Sequence, residues 1–164
     1  MKTPHTPSRA IHREHPLGES REDGYRDDAK LAGPAHCPGC GATYLKGRWT
    51  WAKAPAGAVR HLCPACRRVE DRFPAGHVAL KGPFVAAHRD EIVALVKARE
   101  VRAREDHPLQ RIMAVEAGAE GLVVTTTDAH LARGIAVAVH EAFKGTLDMT
   151  YSQAENLLRA TWKR

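Results

Sequence analysis

Four cysteines carry the clearest chemistry in the sequence. They stand as Cys37-Pro-Gly-Cys40-Gly and Cys63-Pro-Ala-Cys66, with 22 residues between the two pairs. Two residues between cysteines let one tight turn aim both sulfurs at a single point. Two such turns close a tetrahedral site of four thiolates. The pattern predicts one structural Zn²⁺ held by Cys37, Cys40, Cys63 and Cys66. Such a site has no open coordination position, so it supports the fold and does no chemistry of its own; the free energy of metal binding appears as folding free energy. Gly41 gives the backbone room to bring amides toward the thiolates. Thioredoxin-like chemistry uses one Cys-x-x-Cys after a strand of a βαβ unit, and haem attachment needs a histidine where Gly41 and Arg67 stand. Thiolates also ligate iron, which leaves iron as the alternative metal. His36 and His61 flank the ligands and are expected on the surface, the other option being a contact with the metal or its ligands.

Charge is concentrated around the same cysteines. The chain of 164 residues has a formal net charge of +6. Residues 1–36 hold six basic and six acidic residues, 83–107 five of each, and 108–164 six of each. Residues 37–82 hold eight basic and two acidic residues, and so carry the entire excess. A local patch of one sign points to a polyanionic partner. Lys46, Arg48, Lys53, Arg60, Arg67, Arg68 and Arg72 make up this patch, with Trp49 and Trp51 two apart on an expected strand and so on one face. Basic side chains beside rings suit unpaired RNA, because arginine grips phosphate and rings stack on bases. The competing reading has the tryptophans filling a small core around the metal.

The elements that must position these groups are legible from periodicity. Residues 1–35 are rich in Pro, His and mixed charge and read as a disordered tail, or as an arm that orders on a partner. Residues 36–82 form the cysteine unit, a zinc ribbon. A strand is expected over 43–52, a turn at Ala54–Gly57, and a returning strand over 58–62. Residues 83–164 form a small α/β domain. The stripe of Ile92, Val93, Leu95, Val96 and Val101 predicts a helix over 86–105. Strands follow at 110–117 and 122–126, then a helix at 129–144 capped by Thr127 or Asp128, and strands at 146–151 and 157–163. Gly134 among the helix alanines suggests close packing against something flat, such as the sheet. The fold class is α+β: a four-cysteine zinc ribbon, followed by a helix and a small two-layer ββαββ domain.

The double Cys-x-x-Cys ribbon, Pro108-Leu-Gln-Arg-Ile112 and Thr126-Thr-Asp-Ala-His-Leu-Ala-Arg133 together resemble a family of small uncharacterised bacterial zinc-ribbon proteins. More loosely, residues 36–164 are similar to the N-terminal part of the archaeal and eukaryotic adaptor for ribosomal large-subunit export. The resemblance implies association with RNA or the ribosome, without catalysis. The adaptor's further domains and trafficking signals have no counterpart in this sequence.

The reading that results is a non-catalytic, ribosome-associated RNA-binding protein with one structural zinc. The alternative is a zinc-stabilised protein–protein adaptor or regulator. An enzyme would have to use Asp128, His130 or His140, yet no nucleophile–base pair or glycine-rich phosphate loop accompanies them. With no signal peptide and no long apolar run, the chain is expected in the cytoplasm, off the membrane and without a small-molecule substrate.

Overall fold

The computed structural model describes residues 23–26 and 31–164. The tail assignment over 1–35 therefore falls largely outside the described residues. In chain order the elements are β1 (Ala35–His36), β2 (Thr43–Leu45), β3 (Arg48–Thr50), β4 (Val59–Arg60), α1 (Pro64–Asp71), β5 (Gly76–Lys81), α2 (Pro83–Ala87), α3 (Arg89–Asp106), β6 (Ile112–Gly118), β7 (Gly121–Thr126), α4 (Ala129–Phe143), β8 (Thr146–Ser152) and β9 (Leu157–Lys163). They form a ribbon sheet of order β3-β2-β1-β4 and a five-stranded sheet of order β6-β7-β5-β9-β8. The class is α+β.

The five-stranded sheet follows from alternation. In β9, Leu158, Ala160 and Trp162 are buried while Arg159, Thr161 and Lys163 are exposed. Register sets Val78 of β5 opposite Ala160, and Leu80 opposite Trp162. These side chains share one face, which is covered by Leu131, Ile135 and Val139 of α4 and by Ile92 and Val96 of α3. The helices thus sit on one side and the polar face stays open. α4 begins at Asp128, whose carboxylate accepts from Leu131 N at 2.9 Å.

The expected four-strand domain lacks the strand at its centre. β5 pairs antiparallel with β7 and parallel with β9. It lies inside the segment read as cysteine unit, because six residues flanked by Pro74 and Pro83 give too short a run to stand out. The close approach read at Gly134 also has a different partner. A Cβ there would meet Arg99 of α3, 3.2 Å from its Nε, rather than the sheet. The tight helix–sheet contact is at Gly76, where a Cβ would lie 2.3 Å from the Ala132 Cβ.

In the ribbon, the strand expected over 43–52 is a hairpin. β2 and β3 turn at Lys46 and Gly47, with φ of 49° and 85°. Two consecutive left-handed residues make a type I′ turn, which matches the twist of the strands it joins. The segment read as the returning strand is the two-residue β4, which pairs parallel with β1 rather than returning along β2.

Candidate metal centre

The first cysteine pair sits on a turn closed by two backbone bonds. Cys37 N donates to Ala42 O at 2.8 Å, and Gly41 N donates to Cys37 O at 3.0 Å. Gly41 holds φ at 81°, a left-handed value that glycine adopts without strain. Gly39 is needed for space, since a Cβ there would lie 2.8 Å from Cys66 Sγ.

The second pair opens a helix that was not foreseen. Cys63 is the N-cap of α1, Pro64 follows at the first helical position, and Cys66 N donates to Cys63 Sγ at 3.4 Å. A thiolate here faces the positive end of the helix. Arg72, left-handed at φ 52°, ends α1, and Phe73 N returns to Arg68 O at 2.9 Å. The helix escaped sequence reading because its eight residues span only two turns and four of them are charged.

All four sulfurs lie within 4.8 Å of one another. Cys37 Sγ is 3.7 Å from Cys66 Sγ, and Cys40 Sγ is 3.7 Å from Cys63 Sγ. Metal–sulfur bonds of about 2.3 Å in a tetrahedron give sulfur–sulfur edges of about 3.8 Å. A disulfide would need about 2.05 Å. The cluster is thus arranged to hold a metal ion. Cys37, Cys63 and Cys66 are buried and Cys40 is half-buried.

Burial and amide bonding set the thiols apart. Burial raises the Cys37 thiol, but amide bonds from Cys63, Cys40 and Gly39 outweigh it and bring the pKa down to about 7. Burial pushes the Cys63 thiol far above the ordinary range, and the charge of the neighbouring thiols adds to it. Cys40 is raised for the same two reasons. A cation at the centre lets all four ionise together.

Arg111, just before β6, was missed by the sequence reading. Its Nη2 lies 3.1 Å from Cys66 Sγ and 3.7 Å from Cys63 Sγ. Burial alone would lower this guanidinium's pKa, but its bond to Cys66 and the nearby thiolate charge raise it. No spacing rule flags an arginine so far along the chain. His36 and His61 are half-buried and not in the sulfur cluster, and His61 stacks on Trp49 at 6.4 Å.

The nine residues assigned to nucleic-acid contact separate. Lys46, Arg48, Lys53, Arg60 and Arg72 are exposed. Trp49 is buried at 8% exposure, against Tyr44 and His61, and so belongs to the ribbon core. Trp51 lies beyond the end of β3 and shares no face with it. Its Nε1 donates to Arg104 O of α3, which ties the ribbon to the helix. Arg68 is 3% exposed and ion-paired with Asp23 at 3.0 Å, and Arg67 donates to Tyr25 O at 2.7 Å. Neither arginine is an open surface cation, because the 23–26 segment lies over both.

Together, the fold and site define a four-cysteine ribbon, able to hold a metal ion, docked on an α+β sheet domain. Compared with known protein families, curated proteins and solved structures, the chain has no match. No described helix is long and apolar enough to cross a membrane.

Proposed function

We propose that this is a zinc-ribbon RNA-binding protein that works on the ribosome without catalysis. Zinc is the metal favoured by four thiolates in a closed, buried tetrahedron. Edges of 3.7 Å suit one ion, not a cluster of several. The RNA reading rests on one observation. Residues 37–82 carry the chain's whole +6 excess, and Lys46, Arg48, Lys53, Arg60 and Arg72 stand exposed with no ion-pair partner among the described residues. Such cations are free to displace counterions from phosphates.

The test is sedimentation of tagged protein through sucrose gradients at low and high salt, with the metal assayed in parallel. Co-migration with a ribosomal subunit that high salt abolishes supports the reading. Protein that stays at the top at low salt, with zinc bound, refutes it.

A protein adaptor is the second reading. It is favoured by the open sheet face, where Asp148, Thr150, Arg159, Thr161 and Lys163 are exposed, and by Val101 on α3, 62% exposed. A partner that survives nuclease treatment in a pulldown would select it.

A further inference from the structure

The 23–26 segment sits on α1 with the chemistry of a bound nucleotide. Arg68 Nη2 donates to both oxygens of Asp23, at 3.2 and 3.0 Å. The same guanidinium lies 4.3 Å from the centre of the Tyr25 ring, and Phe73 stacks on that ring at 5.9 Å and 19°. Arg67 donates to Tyr25 O at 2.7 Å, and the Tyr25 hydroxyl donates to Asp71 Oδ2 at 2.7 Å. An anion on a guanidinium, followed by a ring packed against that same arginine and against Phe73, with the arginine also 5.9 Å from the Phe73 ring, resembles phosphate and base. Phe73 is 50% exposed, so its ring can be reached from solvent beside Tyr25.

We propose that Arg67, Arg68 and Phe73 form a binding site for one nucleotide of single-stranded RNA, with phosphate on Arg68 and base on Phe73, and that residues 23–25 occupy this site in the free protein. The proposal rests on the RNA reading above and adds to it a defined site and an internal competitor. Room for neighbouring nucleotides is present. Asp23, Tyr25 and Arg68 line a cleft of about 650 Å³ that also reaches Arg48, Gln110 and His130. Arg48 is exposed there, so a strand entering the cleft meets a second cation. The segment is held by an ion pair, two hydrogen bonds and ring contacts, the same kinds of contact that a phosphate and a base would make in its place.

The test uses the full chain with zinc bound. Binding of a short fluorescent single-stranded RNA is followed by anisotropy for the wild type, for Tyr25→Ala, and for Tyr25→Ala with Phe73→Ala. Tyr25→Ala leaves the net charge unchanged. It should tighten binding by roughly tenfold, the scale of one stacking contact. Adding Phe73→Ala should reverse the gain, and 2-aminopurine in the RNA should be quenched by Tyr25→Ala protein only while Phe73 is present. The cobalt-substituted thiolate spectrum reports that each variant keeps its ribbon. Equal affinity for wild type and Tyr25→Ala overturns the proposal and leaves the RNA reading standing. Absence of binding by every variant at low salt overturns both.

Discussion

Arg111 and Cys66 join the two halves of the molecule: the guanidinium at the start of β6 lies 3.1 Å from a sulfur in the first turn of α1. A zinc ion with four thiolates carries a net charge of about −2, and a buried site of that charge needs a counter-charge. Arg111 supplies one while bridging Cys66 and Cys63. Arg111→Ala is expected to weaken retention of the metal by roughly 10- to 100-fold, as loss of groups bonded to metal ligands generally does. Competition with a chromophoric chelator measures it. Both contacts come from the one nitrogen Nη2, so Arg111→Lys, which keeps a charged nitrogen, should recover part of the loss.

Metal removal should unfold the ribbon and spare the sheet. The ribbon core is small, comprising Ala35, Ala42, Tyr44, Trp49, Ala65 and the cysteines. The sheet has its own core of Val78, Leu80, Leu122, Val124, Ile135 and Trp162. Chelation should therefore abolish amide protection over 35–72 while protection persists in 76–81 and 157–163. Hydrogen exchange resolved by segment reads this directly, and uniform loss along the chain would show that the sheet depends on the ribbon.

Asp128 gives a prediction with a definite sign. Its carboxylate caps α4, yet burial raises its pKa despite the Leu131 amide. A carboxyl raised in the folded state contributes stability that is complete below its unfolded pKa and is lost as pH rises through the folded value. Above the raised pKa the protein thus bears the cost of a partly buried charge. Asp128→Asn keeps the cap without the charge and should be as stable as the wild type or more so. The difference should narrow as pH falls toward the raised pKa. Asp128→Ala removes the cap as well and should cost about 1 kcal/mol. Urea unfolding of the three proteins at several pH values decides between these outcomes.

Trp162 is the largest fully buried side chain, and its Nε1 donates to Lys144 O beyond the end of α4. Replacement by alanine should cost about 3–5 kcal/mol. Phenylalanine should cost less, since it fills most of the volume and leaves mainly the Lys144 carbonyl unpaired. Equilibrium unfolding in urea measures both.

The open cations should show themselves in salt dependence. Under the RNA-binding reading proposed above, reversing Lys46, Arg48, Lys53 or Arg60 to glutamate should lower the salt slope of binding by about 0.7 for each single-strand phosphate no longer neutralised. The same change at an exposed site off the ribbon, such as Arg159, should leave the slope unchanged.

What the sequence makes legible is what local pattern encodes. The paired cysteines name all four sulfurs of the cluster, and alternation or a helical stripe places β6 to β9 and α4 close to their actual bounds, while the single helix expected over 86–105 is broken at His88, with α2 before it and α3 from Arg89. What stays hidden depends on distant partners. β5 has ordinary residues and becomes the central strand only through β7 and β9. Trp49 and Trp51 look alike in sequence but part company because the chain leaves β3 after Thr50. Arg68 reads as a surface cation until Asp23 and Tyr25 cover it. Arg111 falls in the Pro108–Ile112 stretch, but nothing local marks its role, which exists only where α1 meets β6.

The parallel pairing of β5 with β9 has a consequence for the order in which the chain matures. β5 emerges from synthesis long before residues 157–163, and until they arrive the middle of the sheet has an unfilled edge. Contacts this distant in sequence close slowly. The ribbon's strand pairs and its four sulfurs all lie within residues 35–66, so it can take up its ion while the later strands are still being made. Nascent chains are therefore expected to be metallated at one end and sticky at the other. The supply of the metal and the shielding of β5 are separate requirements, met at different moments in the life of the same polypeptide.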